Sequence, residues 1–380
     1  IPLVESARQI PDLVPLGDAA WEGVRLLGLK VDPAQVQVGQ TARVTLYWEA
    51  RATPPADLRA VVRLWTLGGR LAGQRDATPA GEVYPPDLWR PGDVVRDEHR
   101  IRVSRRGPAM CRVTVSVLVG DQPVGETSSP AVLKLRGATV SVDEIAHPLA
   151  YTLGDGIELV GYDTSGGIPA PGEPLTVTLY WRSVAQVNED YTVFVHLLSE
   201  DEDGALIGQG DGPPLDGDYP TSYWSPGEIV ADTHVVPPEG DRPANAGAYL
   251  LVGLYRLWDG TRLPAYTSTG QRVPHDAVPL HPRELRFQHD AGIQYPRGIE
   301  RLLEGPQCPH AYQPDLFLEP GSVVPPYAVV MGQRAARVQD SLGGGLLHRS
   351  PLRLLRQGIG VVHLTAQEGR IQRGAVFVGV

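Results

Sequence analysis

The sequence predicts an all-β protein: two tandem Ig-like or carbohydrate-binding-module-like β-sandwiches born of an internal duplication, followed by a smaller β-rich C-terminal domain. Three observations carry this. Val44-Thr45-Leu46-Tyr47-Trp48 returns letter for letter as Val177-Thr178-Leu179-Tyr180-Trp181. Within that stretch Ala42, Val44, Leu46 and Trp48 alternate with Arg43, Thr45 and Tyr47, the period-2 pattern of a strand with one buried face. Gly (43) and Pro (36) supply about a fifth of the 380 residues without a Gly-X-Y period, so short apolar runs are punctuated by turns. A chain of this length exceeds one ordinary core, and two or three domains are expected.

The elements follow in order. Residues 1–20 hold three prolines; they cannot make a long helix and read as an extended arm lying on a neighbouring surface. Module 1, residues 21–140, opens with a strand between Gly23 and Gly28 and continues through the strand ending at Trp48. A strand at 60–65 is followed by Gly68-Gly69, a tight-turn pair whose partner strand is 71–74. A proline-rich loop, 84–93, precedes strands at 94–103 and 111–119. Module 2, residues 141–288, repeats this plan. The offset between copies is 133 at Gly23/Gly156 and through the pentapeptide, and 135 from Gly73/Gly208 through Tyr84/Tyr219, Trp89/Trp224, Gly92/Gly227 and Asp97/Asp232. The two added residues fall in a hairpin at 199–206, where an insertion is tolerated. Residues 289–380 lack the repeat. Gly343-Gly344-Gly345 breaks them, 346–355 reads as a short helix, and 359–365 with 371–380 reads as a terminal hairpin.

Composition excludes some classes. The net charge of −10 argues against a nucleic-acid-binding chain, which needs a basic face. Cys111 and Cys308 show no CxxC or Cys/His ligand spacing; two free thiols or one long-range disulfide both remain open. No run of 18 apolar residues occurs, so no membrane-spanning helix is expected. Ile1-Pro2-Leu3-Val4-Glu5 reads as a processed or excised end.

Five phrases of module 2, LVGYD (159–163), PGEPLTVTLYW (171–181), DYTVFVHLL (190–198), DYPTSYWSPGEIVAD (218–232) and LLVGLYRLWDGTRLP (250–264), carry a resemblance. They are similar to a β-sandwich domain appended to large membrane glycosyltransferases of Chloroflexota-type bacteria, and module 1 resembles a worn copy of it. The resemblance covers about residues 20–287. It implies an extracytoplasmic, non-catalytic appendage, at the cell surface or outside the cell. The multi-spanning catalytic region is absent, so transferase activity does not follow.

Each candidate site has a plain structural reading beside it. Trp48 and Trp181 read as core rings rather than sugar platforms. Trp89 and Trp224, with Tyr84, Tyr219 and Tyr223, are candidates for carbohydrate binding, against the reading that each Trp pins its own loop. Asp201 and Asp203, in an acidic hairpin tip, are candidates for calcium, the one cofactor considered, against a solvated turn. His196 reads as structural, and Asp76/Asp211 and Asp97/Asp232, kept in both copies, read as turn or cap groups. No Ser-His-Asp order, GxSxG elbow or paired-carboxylate motif assigns a catalytic residue. The apolar terminal strand, with Ala375, Val376, Phe377 and Val378, needs a partner, within its own chain or in a neighbouring subunit. The function expected first is therefore a non-catalytic extracellular or cell-surface structural protein, a filament or surface-layer subunit that self-associates. The alternatives are a glycan-binding accessory module of an envelope glycosyltransferase, and an enzyme with its site in 288–380.

Overall fold

The computed structural model describes residues 3–4, 10–16, 19–166, 173–200, 204–238, 247–280, 361–367 and 370–376. The chain divides into two units, Ile1–Leu316 and Phe317–Val380. Among its described residues the first unit is all β apart from short 3-10 turns. Its first half contains β1 (Val14–Pro15), β2 (Ala20–Trp21), β3 (Val24–Asp32), β4 (Gln35–Val36), β5 (Thr41–Ala50), β6 (Leu58–Thr66), β7 (Leu71–Ala77), β8 (Val94–Arg102), β9 (Ala109–Val119) and β10 (Gln122–Leu135). One sheet runs β1-β3-β5-β8 with β2 beside β3; the other runs β4-β10-β9-β6-β7. Leu26, Leu46 and Trp48 of the first share one buried cluster with Val62, Leu64 and Val115 of the second, a two-layer core.

The second half contains β11 (His147–Leu153), β12 (Ile157–Thr164), β13 (Leu175–Ser183), β14 (Tyr191–Ser199), β15 (Leu206–Gln209), β16 (Ile229–Val236), β17 (Ala248–Arg256), β18 (Ala265–Thr267) and β19 (Val278–Leu280). Its sheets run β16-β13-β12-β11-β18 and β15-β14-β17-β19, and Trp181, Val195 and Val252 meet in a second core. The strand order β3-β5-β8 recurs as β12-β13-β16, and β9-β6-β7 as β17-β14-β15. Register recurs too: Leu46 faces Asp97 as Leu179 faces Asp232.

One irregularity recurs with the repeat. The ladder slips between Leu26 and Gly28 and, 133 residues later, between Leu159 and Gly161. At each slip an incoming strand presses on the glycine: Pro15 pairs with Gly28 and Pro148 with Gly161. A Cβ on Gly28 would lie 2.5 Å from the Val14 carbonyl oxygen, and one on Gly161 would lie 2.7 Å from that of His147. Only glycine admits so close a backbone. The repeat therefore reaches back to Val14, inside the stretch expected to be an extended arm lying on a neighbouring surface. Leu3 bridges Val95 at the far edge of the same sheet, and Leu16 and Ala19 enter the core. The described parts of 1–20 thus lie on their own module.

β13 alternates strictly between buried and half-buried positions. β5 does not: Thr45 and Tyr47 are buried with the core-facing residues, so this strand is covered on both faces rather than one. In the second unit, β20 (Val361–Gln367) and β21 (Arg370–Val376) form an antiparallel hairpin in which Val361 faces Val376 and Gln367 faces Arg370. The short helix expected at 346–355 lies outside the described residues.

Candidate functional site

Of the carboxylates kept in both copies, Asp97 and Asp232 hold strained loops, whereas Asp76 pairs with Arg59 on the surface. Asp97 Oδ1 accepts from Ala80 N at 2.9 Å, and Asp232 Oδ1 accepts from Leu215 N at 2.8 Å. Ala80 and Leu215 sit at φ 56° and 53°, a left-handed conformation that a non-glycine residue adopts only when held there. The other oxygen of each carboxylate meets an imidazole: Asp97 Oδ2 lies 2.7 Å from His99 Nε2, and Asp232 Oδ2 lies 2.8 Å from His234 Nε2. In module 1 the Trp48 indole also donates to Asp97 Oδ2, at 3.2 Å; in module 2 the Trp181 Nε1 has no partner among the described residues. His234 Nδ1 is bound to the Gly210 carbonyl at 2.9 Å, so both ring nitrogens are committed. Burial opposes its charged form, but the Asp232 charge and hydrogen bond, with Gly210 and Asp211, raise its pKa above the usual histidine value. His99 and His234 share the 135-residue offset of their aspartates, a signal that sequence reading passed over.

His196, half-buried on β14, lies 3.3 Å from Asp211 Oδ1, an oxygen that also accepts from Val195 N at 2.9 Å. This pair too braces backbone, in keeping with a structural His196.

The aromatic loops are built alike. Trp89 Nε1 donates to the Tyr84 carbonyl at 2.8 Å, and Trp224 Nε1 to the Tyr219 carbonyl at 3.0 Å. The Tyr84 hydroxyl donates to Asp93 at 2.6 Å, and the Tyr219 hydroxyl to Glu228 at 2.8 Å. Trp89, Trp224 and Tyr219 are fully buried, so their faces cannot meet a sugar. They close their loops onto the sandwich, which removes them as a carbohydrate platform. Tyr84 is half-buried against the core, and Tyr223 alone of the five is exposed, at 39%. Trp48 and Trp181 are at 0%.

Module 2's loop is also where module 1 docks. Asp218, 2% exposed, receives Arg105 at 2.5 Å and Arg70 at 3.0 Å, and its carbonyl accepts from Met110 N at 2.8 Å. The Met110 side chain packs in module 2's core. Lys134 of β10 reaches Glu228 at 2.8 Å and lies 5.0 Å from the Tyr219 ring centre. Cys111 lies beside this joint. Burial, then the charge of Asp218, pushes its thiol up to about 12, so it stays protonated and unreactive.

At the end of module 2 is a cleft of about 300 Å³, lined by Leu153, Asp155, Asn188, Glu189, Tyr191 and Leu263 among others. Tyr191 faces Arg256 across the β14–β17 ladder. The Arg256 guanidinium sits 5.0 Å from the ring centre of Trp258, which is 65% exposed. Sequence reading missed Trp258. The signal was the turn after β9, just Gly120-Asp121 in module 1, which in module 2 becomes the longer stretch 257–261.

Asp201 and Asp203 lie outside the described residues, as do Phe377, Val378 and Cys308. Ala375 faces Val362, and Val376 faces Val361, in the terminal hairpin. In the comparisons with known proteins, no family model and no curated protein matches the chain.

Proposed function

We propose that the chain is a non-catalytic structural protein of the cell surface or extracellular space: a joined pair of β-sandwich modules that self-associates through its C-terminal strands. The observation that carries this reading is the joint. Buried Asp218 between Arg70 and Arg105, with Met110 set in the neighbouring core, makes the two modules a single spacer rather than beads on a linker. His234 adds support, because both its ring nitrogens are committed, to Asp232 and to the Gly210 carbonyl. The location rests on the resemblance of module 2 to an extracytoplasmic appendage. Assembly rests on the terminal hairpin: β21 pairs with β20 on one side, and its other edge has no strand partner among the described residues. An unpaired edge of that kind invites a second chain.

Light scattering across a concentration series, followed by negative-stain imaging, tests the reading. Masses at multiples of 41.0 kDa and elongated particles are expected. Val376→Pro, which removes a backbone donor from the edge strand, is expected to return the sample to monomer. A monomer at every concentration would sink the assembly reading.

A further inference from the structure

We propose that the end of module 2 is a binding site for neutral carbohydrate, with Trp258 as the stacking platform and the 153–157/188–191 cleft beside it supplying hydroxyl partners. This goes beyond the structural role and uses none of the aromatic residues buried in the loops. Among the described residues Trp258 is the most exposed tryptophan; Trp48, Trp89, Trp181 and Trp224 are all at 1% or less. Its loop is built rather than slack. Gly260 N donates to the Arg256 carbonyl at 2.8 Å, and Arg256 N to the Thr261 carbonyl at 2.9 Å. Asp259 accepts from Thr261 N at 2.9 Å and pairs with Arg256 at 3.1 Å. Gly260 takes φ +72°, the conformation that closes such a turn. The ring is thus held in place by the arginine while remaining open to water. Leu257 beside it is 61% exposed, so the loop presents two adjacent apolar side chains to water rather than a single scattered one.

The neighbouring groups select the ligand class. Tyr191, which lines the cleft, stands across the ladder from Arg256, whose guanidinium lies over the Trp258 ring, and Leu263 of the cleft wall follows in the same hairpin, so one residue pair links ring and cleft. A volume near 300 Å³ suits a small ligand of one or two rings. Asp155, Asn188 and Glu189 in the cleft wall are acceptors and a planar amide, which match sugar hydroxyls. The apolar face of a pyranose fits flat on an indole. The two carboxylates in the wall, Asp155 and Glu189, repel phosphates and acidic sugars, while Asp259 and Arg256 beside the ring neutralise each other. The same carboxylates oppose insertion of Trp258 into an anionic membrane, where basic residues would be needed.

The test is titration of the full chain with neutral gluco-, manno- and galacto-oligosaccharides, read by calorimetry and tryptophan fluorescence, alongside anionic phosphatidylglycerol vesicles. Binding of at least one neutral series is expected. Trp258→Ala should weaken it about tenfold or more, Trp258→Phe should retain most of it, and Glu189→Gln should weaken it less than Trp258→Ala. Val83→Ala, at an exposed apolar residue of module 1 (78%), should leave it unchanged. An unaltered circular dichroism spectrum and melting temperature in Trp258→Ala would tie the loss to the site. No binding of any neutral oligosaccharide, binding that survives Trp258→Ala, or Trp258-dependent vesicle binding without sugar binding would each overturn the proposal.

Discussion

Asp232 does two jobs with its two oxygens, and His234 is the half of the arrangement that titrates. One oxygen fixes Leu215 N and the other meets the His234 ring. Because the pKa of His234 is raised in the folded chain above 6.5, the charged ring stabilises the fold. That contribution is complete below the unfolded value, near 6.5, and is lost as pH rises through the higher folded value. His234→Gln keeps hydrogen-bonding atoms but no charge. The native chain is therefore expected to exceed His234→Gln in urea midpoint most at about pH 6, with the gap narrowing as pH rises. Midpoints measured between about pH 5.5 and 9 check this; a gap that holds constant would contradict a charged His234 in the fold.

At the scale of the element, the loop after β7 and β15 is a prefabricated corner, used twice. Trp, Tyr and a carboxylate close it, and a glycine turns it: Gly92 at φ +95° and Gly227 at φ +84°, each with nothing within 4 Å of a built Cβ. Alanine there meets backbone strain without a clash. Gly92→Ala and Gly227→Ala are each expected to cost about 1 kcal/mol or somewhat more, read as a lowered urea midpoint. Loss confined to one copy would show that the two corners are not equivalent. This corner, like the alternation in β13, was legible in the sequence because its determinants lie within ten residues. Burial of Trp89 and Trp224 was legible in part: a Trp recurring within a fixed Pro-Gly context favours a loop pin, although the same letters suit an exposed platform. His99 and His234 were legible through their shared offset and went unread. Trp258 sits in an ordinary-looking Asp-Gly turn and becomes conspicuous only when the two copies of the hairpin are compared.

For the whole molecule, the decisive contact joins parts far apart in sequence, which is why no local pattern announced it. Asp218 replaces Val83 of the other copy, and Arg70 and Arg105 approach it from module 1. The two halves differ at this position, and that difference supplies the joint. Gly68, in the turn between β6 and β7, gives a means of testing it. A Cβ there would clash with Asp218 and come within 2.7 Å of the Asp216 carbonyl oxygen, while Gly69, at φ +83°, has nothing within 4 Å. Gly69→Ala therefore strains the turn but leaves module 2 untouched, whereas Gly68→Ala drives a methyl group into its backbone. Asp218→Ala attacks the same joint by removing the shared carboxylate. Each arginine side chain is about a third exposed, at 37% and 33%, so water relieves part of the loss. The expected cost is about 1–3 kcal/mol, less than the 3–5 kcal/mol of a fully buried pair. Gly68→Ala and Asp218→Ala are expected to split the calorimetric transition of the two modules and to increase the radius of gyration, while Gly69→Ala lowers the melting temperature with one transition kept. If all three variants unfold in one step at the native radius, the sandwiches are held together by their other contacts, and the charged joint at Asp218 is dispensable.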